Sequence, residues 1–116
     1  MPSRGILPGD QSPFRLTIGW GKADMAASLF EGWNVLSITD GGAGIITFTW
    51  DRDFAAATYF VTAIAQAEQG TGTAAGVAVS SNTPPTVGAA TFRVVEAAGN
   101  LVDPNNVFAF AIGKGY

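Results

Sequence analysis

The 116-residue sequence contains neither cysteine nor histidine. Without cysteine there are no disulfide bridges, no thiolate metal sites and no cysteine nucleophile. Without histidine the chain lacks the side chain that most often serves as general base and metal ligand, and it cannot form a Ser-His-Asp triad. The sequence therefore predicts a protein that is not an enzyme, with no catalytic residues, no metal site and no cofactor.

Charged side chains are also scarce. They make up 13% of the chain, whereas an average soluble domain has about 25%. The six basic residues are scattered and the net charge is −3, so there is no basic patch to neutralise phosphates and nucleic acid is not an expected partner. Hydrophobic residues make up 47%. With so many hydrophobic and so few charged residues, we expect part of the protein surface to be covered by protein, most simply by other copies of the chain.

The first segment is rich in proline and glycine and contains no apolar run of the length that a signal peptide or a membrane span requires. We therefore expect synthesis in a cytoplasm and no membrane partner. Residues 1–13 are predicted to form an extended arm, because they show no strand or helix pattern. Ile6, Leu7 and Pro8 are its apolar residues and have no local core to join, so they are the predicted attachment residues.

Residues 14–116 carry the pattern of one all-β domain, with short apolar runs or period-two alternation between turn residues. About seven strands at this spacing predict an antiparallel β-sandwich of the jelly-roll or immunoglobulin-like kind. Residues 22–31 are expected to be a loop or one short helix. The strand at residues 59–66 is apolar on both faces, which predicts a central position. The other predicted strands lie at residues 14–20, 33–40, 45–50, 76–80, 91–97 and 107–112.

A hairpin is predicted around Gly41-Gly42-Ala43-Gly44, since glycine supplies the positive φ angles of tight turns. Leu36 and Ile38 are expected to face inward from its first strand. A phosphate-binding loop is the weaker alternative, because a strand and not a helix follows the glycines.

Two further groups of residues allow a chemical interpretation. Asp40, Asp51 and Asp53 are expected near one end of the hairpin, where acids usually stabilise turns by bonding nearby amides; a calcium site or a pair of glycosidase acids is the alternative. The three tryptophans are expected in the core or in a subunit interface, with a sugar-binding platform as the alternative. They are Trp20, Trp33 and Trp50.

Several segments resemble a recurring pattern in bacteriophage tail-fibre and virion surface domains. The pattern has an aromatic-Asn-Val-x-Ser-hydrophobic-Thr strand, a glycine-containing turn and a Gly-hydrophobic-x-Thr-Phe strand, similar here to residues 32–49. It continues through Phe54 and the strand Tyr59-Phe60-Val61-Thr62-Ala63. It closes with residues 91–94 and 101–107, so the similarity covers most of residues 33–113.

The resemblance implies a small β-sandwich that forms trimers on the outside of a phage particle and has no catalytic residues. Because no fibre shaft is present in the sequence, we expect a capsid cement or decoration protein. It would act as a homotrimer, bind the major capsid protein through its arm, and reside on the capsid exterior after assembly in the host cytoplasm. Trp33, Tyr59 and Phe110 are the predicted trimer contacts. The alternative is a short tail-fibre or head-fibre tip that binds a host receptor or surface glycan.

Overall fold

The computed structural model describes residues 15–66, 75–96 and 98–115. Within these ranges the chain has eight strands and no helix. The predicted arm at 1–13, and with it Ile6, Leu7 and Pro8, lies outside the described residues. The strands are β1 Leu16–Ala23, β2 Leu29–Trp33, β3 Val35–Asp40, β4 Ile45–Trp50, β5 Phe60–Gln66, β6 Ala75–Val79, β7 Ala89–Glu96 and β8 Asn106–Lys114.

The strands form two four-stranded sheets whose described pairings are all antiparallel. Sheet A has the order β2-β1-β8-β5, and sheet B has the order β3-β4-β7-β6. The predicted all-β antiparallel sandwich is therefore confirmed.

The large side chains of the core come from sheet B and from the loop that follows β4. Trp50, Phe48, Phe92 and Phe54 are fully buried there. Their rings contact one another edge-on or tilted, with centroids about 6 Å apart, an arrangement that aromatic pairs favour. Sheet A contributes small residues opposite them, and a Cβ placed on Gly19 would lie 2.7 Å from Trp50 Cε3. Sheet A is therefore a platform of small residues on which the aromatics of sheet B pack.

The predicted hairpin is confirmed as β3 and β4. Gly42 and Gly44 have φ angles of 110° and 70°, which explains why glycine occupies the turn. A side chain at Gly44 would also collide with the Val94 carbonyl oxygen, 2.7 Å away. The turn in addition receives support from outside the hairpin, since the Gly44 amide donates to Asp103 Oδ1 at 2.7 Å.

Two expectations about the strands are wrong, and a third is right only in part. The loop expected at residues 22–31 is confined to residues 24–28, where Asp24 accepts turn hydrogen bonds from the Ala26 and Ser28 amides; β1 and β2 occupy the rest. β5 lies at the edge of sheet A, not at its centre. Leu36 is exposed and does not face inward, because a β-bulge between Val35 and Ser37 shifts the alternation by one residue.

Candidate assembly surface

The outward side of sheet A is covered by large apolar side chains. We call this surface the apolar face, and it consists of Leu16, Ile18, Trp20, Trp33, Phe60, Ile64, Phe108, Phe110 and Ile112. Strand pairing places these residues in adjacent rows: Ile18 pairs with Ile112, and Ile112 with Phe60. In the next row Trp20 pairs with both Trp33 and Phe110. The face is therefore continuous across all four strands.

The packing of the core explains why these residues point outward. Side chains alternate along a strand, so each sheet has one set facing the partner sheet and one facing out. On β8 the inward positions are Val107, Ala109 and Ala111, all buried, while Phe108 and Phe110 face outward. Only the small set fits against the aromatics of sheet B, which leaves the large set outside.

The exposed area of the apolar face is larger than a solvent-facing surface explains. Trp33 is 65% exposed and Ile64 is 66% exposed. Eight residues of the face are between 36% and 66% exposed, and five of them are aromatic residues, which present about 150–250 Å² each when fully exposed. The largest apolar patch on a typical monomer is about 300–600 Å², and a standard stable interface buries about 800 Å² per partner.

The outward side of sheet B provides an internal comparison. The centre of its outer face is a row of threonines, with Thr39 opposite Thr47 and Thr47 opposite Thr91, and the hydroxyls of Thr47 and Thr91 are hydrogen-bonded at 2.7 Å. A polar outer face is usual for an antiparallel sheet in water. Sheet B therefore differs from sheet A, whose outer face is aromatic and aliphatic across all four strands.

Charged groups lie at one end of the apolar face. Lys22 pairs with Glu31 on β2 and with Phe108 on β8. The Lys22 ammonium lies 5.3 Å from the centre of the Phe108 ring, a cation–π distance. These charges form a polar rim beside the aromatic centre, as interfaces usually have.

Of the predicted trimer contacts, Trp33 and Phe110 lie on the apolar face, but Tyr59 does not. Tyr59 is 9% exposed and stacks on Phe54 with ring centroids 3.9 Å apart. Its hydroxyl accepts from Trp50 Nε1 at 3.1 Å and donates to the Ala89 carbonyl at 2.9 Å. Burial raises the pKa of Tyr59 above 10, an effect that the bond from Trp50 partly offsets. Tyr59 is thus a core residue in this chain.

The predicted cluster of three aspartates is not formed. Asp40 ends β3 at the hairpin turn and its carboxylate accepts from the Gly42 amide at 2.9 Å, which confirms the turn role for this residue. Asp51 follows the other end of β4. No group of three or more metal-ligating side chains occurs in the part of the chain that the structure describes. Among the same residues no helix has the length and hydrophobicity to span a membrane.

A cleft of about 460 Å³ lies beside the apolar face, which sequence reasoning missed. β2 ends at Trp33, and Asn34, with a φ angle of 59°, turns the chain into β3 in sheet B. Among the described residues, β2 therefore pairs only with the second half of β1, from Trp20 to Ala23. The cleft is lined by Arg15, Leu16, Thr17, Ile18, Trp33, Asn34, Asp51 and Arg52.

Comparisons of the chain with protein-family models, with curated proteins and with solved structures found no match.

Proposed function

We propose that this chain is a structural protein of a tailed bacteriophage particle. It acts as a capsid cement or decoration protein that forms homotrimers on the capsid exterior, binds the major capsid protein and stabilises the shell. The single observation that carries the proposal is the apolar face, because a protein contact is the simplest use for an aromatic and aliphatic surface that is continuous across four strands.

The supporting arguments come from different sources. The apolar face requires only that protein covers it, and copies of the same chain are the simplest candidates. The threefold state and the virion location come from the resemblance of residues 33–113 to phage surface domains. Attachment through Ile6, Leu7 and Pro8 rests on the sequence of the arm. In a trimer the three arms act together, so weak individual contacts give a high total affinity.

The test has two parts. Sedimentation of the purified chain is expected to show a trimer, and the chain is expected to bind capsids that lack it. Replacing Ile6 and Leu7 by serine is expected to weaken capsid binding and to leave the trimer intact. The matched control is the pair of substitutions Ser3→Ala and Ser12→Ala in the same segment. Undiminished capsid binding by the first variant would refute attachment through the arm.

A second candidate function is a short fibre tip that binds a host receptor or glycan, and the exposed Trp33 at the border of a cleft favours it. Quantitative gel analysis of purified virions separates the two functions. A decoration protein is expected in hundreds of copies per particle, and a fibre protein in few.

A further inference from the structure

We propose that the cleft beside Trp33 binds a saccharide that carries a carboxylate group. The proposal rests on the second candidate function, in which Trp33 stays open to solvent, and it is an alternative to the use of Trp33 as a trimer contact. Its starting point is the composition of the cleft walls, where two of the six basic residues of the chain, Arg15 and Arg52, meet an indole and a set of small polar groups.

The cleft is held open by the fold. Asn34 Oδ1 accepts from the Arg52 amide at 2.6 Å, and Asn34 Nδ2 donates to the Arg52 carbonyl at 3.2 Å. The Asn34 carbonyl in turn accepts from the Asp51 amide at 3.0 Å. Three hydrogen bonds thus join the wall that carries Trp33 to the wall that carries Arg52. A site built in this way loses little conformational freedom when a ligand binds.

The size and polarity of the cleft fit a small hydroxylated ligand. A volume of about 460 Å³ lies within the range of about 300–1,000 Å³ that small-molecule sites occupy. The cleft runs along β1 at Leu16, Thr17 and Ile18, where Leu16 and Ile18 point outward and supply apolar wall. An apolar wall beside the polar residues of the cleft suits a sugar ring, which has an apolar C–H face and a polar hydroxyl edge.

Trp33 is the expected stacking residue. Its indole is a broad amphipathic surface, and at 65% exposure it can accept the C–H face of a sugar. The other two tryptophans do not line the cleft. Trp50 is buried with its Nε1 bonded to Tyr59, and Trp20 lies in the middle of the apolar face.

The charges of the cleft define the ligand further. Of the described residues that line the cleft, two are arginines, Arg15 and Arg52, and one is a carboxylate, Asp51, in a protein whose net charge is −3. Guanidinium groups bind carboxylates through paired, charge-assisted hydrogen bonds. The same charges disfavour a metal cation at this position. A sugar acid of the uronic or sialic type therefore fits better than a neutral sugar.

The three tryptophans make the experiment specific, since each gives its own indole N–H signal in a ¹H–¹⁵N spectrum. The signals are assigned with single Trp→Phe variants. N-acetylneuraminic acid is titrated to about 20 mM, because a weak monosaccharide site has a Kd on the order of 1 mM. The Trp33 signal is expected to shift saturably while the Trp50 signal stays in place. Binding is expected to weaken at high salt, which screens exposed charges.

Two control ligands isolate the carboxylate and the sugar. The methyl ester of N-acetylneuraminic acid, which has the same ring without the charge, is expected to bind at least tenfold more weakly. Acetate, which has the charge without the ring, is expected to leave the Trp33 signal unchanged at the same concentration. Equal binding of the ester would overturn the role of the arginines, and equal binding of acetate would overturn the role of the sugar ring.

The variants test the residues directly. Arg52→Gln and Arg15→Gln are expected to lower affinity for the acid at least tenfold and to leave the weak binding of the ester unchanged. Arg93→Gln, on β7 of sheet B, is the matched control and is expected to behave like the wild-type protein. If no titration moves the Trp33 signal, or if Arg52→Gln and Arg93→Gln bind equally well, the inference is refuted.

The oligomeric state and the titration are read from the same sample, because Trp33 serves either as a trimer contact or as the stacking residue. Sedimentation of the same sample reports whether the chain is a trimer, and the Trp33 signal reports whether the cleft binds the sugar. A single copy that binds the acid would refute the trimer and support the cleft. A trimer whose Trp33 signal does not shift with the acid would refute the saccharide site and support the trimer.

Discussion

Replacement of Ile64 by lysine tests the assembly role of the apolar face, because the structure supplies a matched control. Ile64 is 66% exposed on the outside of sheet A, and Leu36 is 64% exposed on sheet B. Both are aliphatic residues of similar size in edge strands. Ile64→Lys and Leu36→Lys therefore impose the same change on the lone chain, and only the first alters the proposed interface.

The expected magnitude follows from the exposed fractions. In the lone chain either substitution changes the free energy of unfolding by about 0.5 kcal/mol or less, as is usual at exposed positions. In the assembly, two-thirds of the Ile64 side chain would be newly buried, which contributes about 1–2 kcal/mol since full burial is worth about 1.5–3 kcal/mol. Placing an ammonium group there adds a desolvation penalty. A total of about 2 kcal/mol corresponds to roughly a 30-fold loss of affinity at each contact.

Sedimentation velocity over a range of concentrations measures the association, and urea unfolding under monomeric conditions measures the stability of the chain. We expect Ile64→Lys to shift the protein toward single copies, and Leu36→Lys to sediment like the wild type. If both variants associate like the wild type, or if both dissociate, the apolar face is not the subunit contact.

Three further predictions concern the fold. Gly19→Ala is expected to lower the free energy of unfolding by about 1–3 kcal/mol, because the new methyl group would lie 2.7 Å from Trp50 Cε3; Gly76→Ala, with open space around it, is the control, and equal urea midpoints would refute the platform of small residues. Tyr59→Phe is expected to cost about 1–3 kcal/mol, since Trp50 Nε1 and the Ala89 carbonyl lose their partner. The raised pKa of Tyr59 means that its contribution is complete below pH 10 and is lost as the pH rises above that value, so the stability gap between wild type and Tyr59→Phe should narrow in alkali; a gap independent of pH would contradict this. Asn34→Ala is expected to cost about 1–2 kcal/mol, because it removes the two side-chain bonds to Arg52 and places alanine at a φ angle of 59°. Asn34→Gly, which tolerates that angle, should recover part of the loss, and equal stability of the two variants would show that φ is unimportant there.

The alternation of residue types predicted the β-sandwich and the faces of its strands, because side chains on a strand point to opposite sides whatever surrounds them. Alternation does not show which face is the core. On β1 the large residues Leu16, Ile18 and Trp20 share one face, and that face is outside. The aromatic side chains of sheet B fill the core opposite β1 and leave room only for its small residues. The sequence of β1 alone does not show this.

The sequence also does not show which strands pair with each other, and this explains the wrong expectations for β5 and Leu36. β5 was expected to be central because both of its faces are apolar, but an edge strand that contributes to an uncovered apolar face has the same pattern. Asparagine adopts positive φ angles more readily than most residues, but this alone does not show that Asn34 separates β2 from β3. Its bonds to Asp51 and Arg52, which lie far along the chain, fix the turn. The cleft went unpredicted for this reason. The bulge that exposes Leu36 is likewise a consequence of pairing with β4.

Tyr59 lies in the core because its hydroxyl group finds hydrogen-bond partners there. An aromatic residue with a hydroxyl group is common both in interfaces and in cores, provided that a buried hydroxyl finds partners. Here the partners are Trp50 and the Ala89 carbonyl. Residues distant in the sequence supply them, so the pattern around Tyr59 alone did not favour the core.

The central claim is that the apolar face is covered by copies of the same chain, and the mass of the purified wild-type protein in solution tests it most directly. Sedimentation equilibrium at micromolar concentrations is predicted to give three times the chain mass of 11.9 kDa. A single species of 11.9 kDa at every concentration, with the aromatic residues of sheet A open to water, would contradict the account.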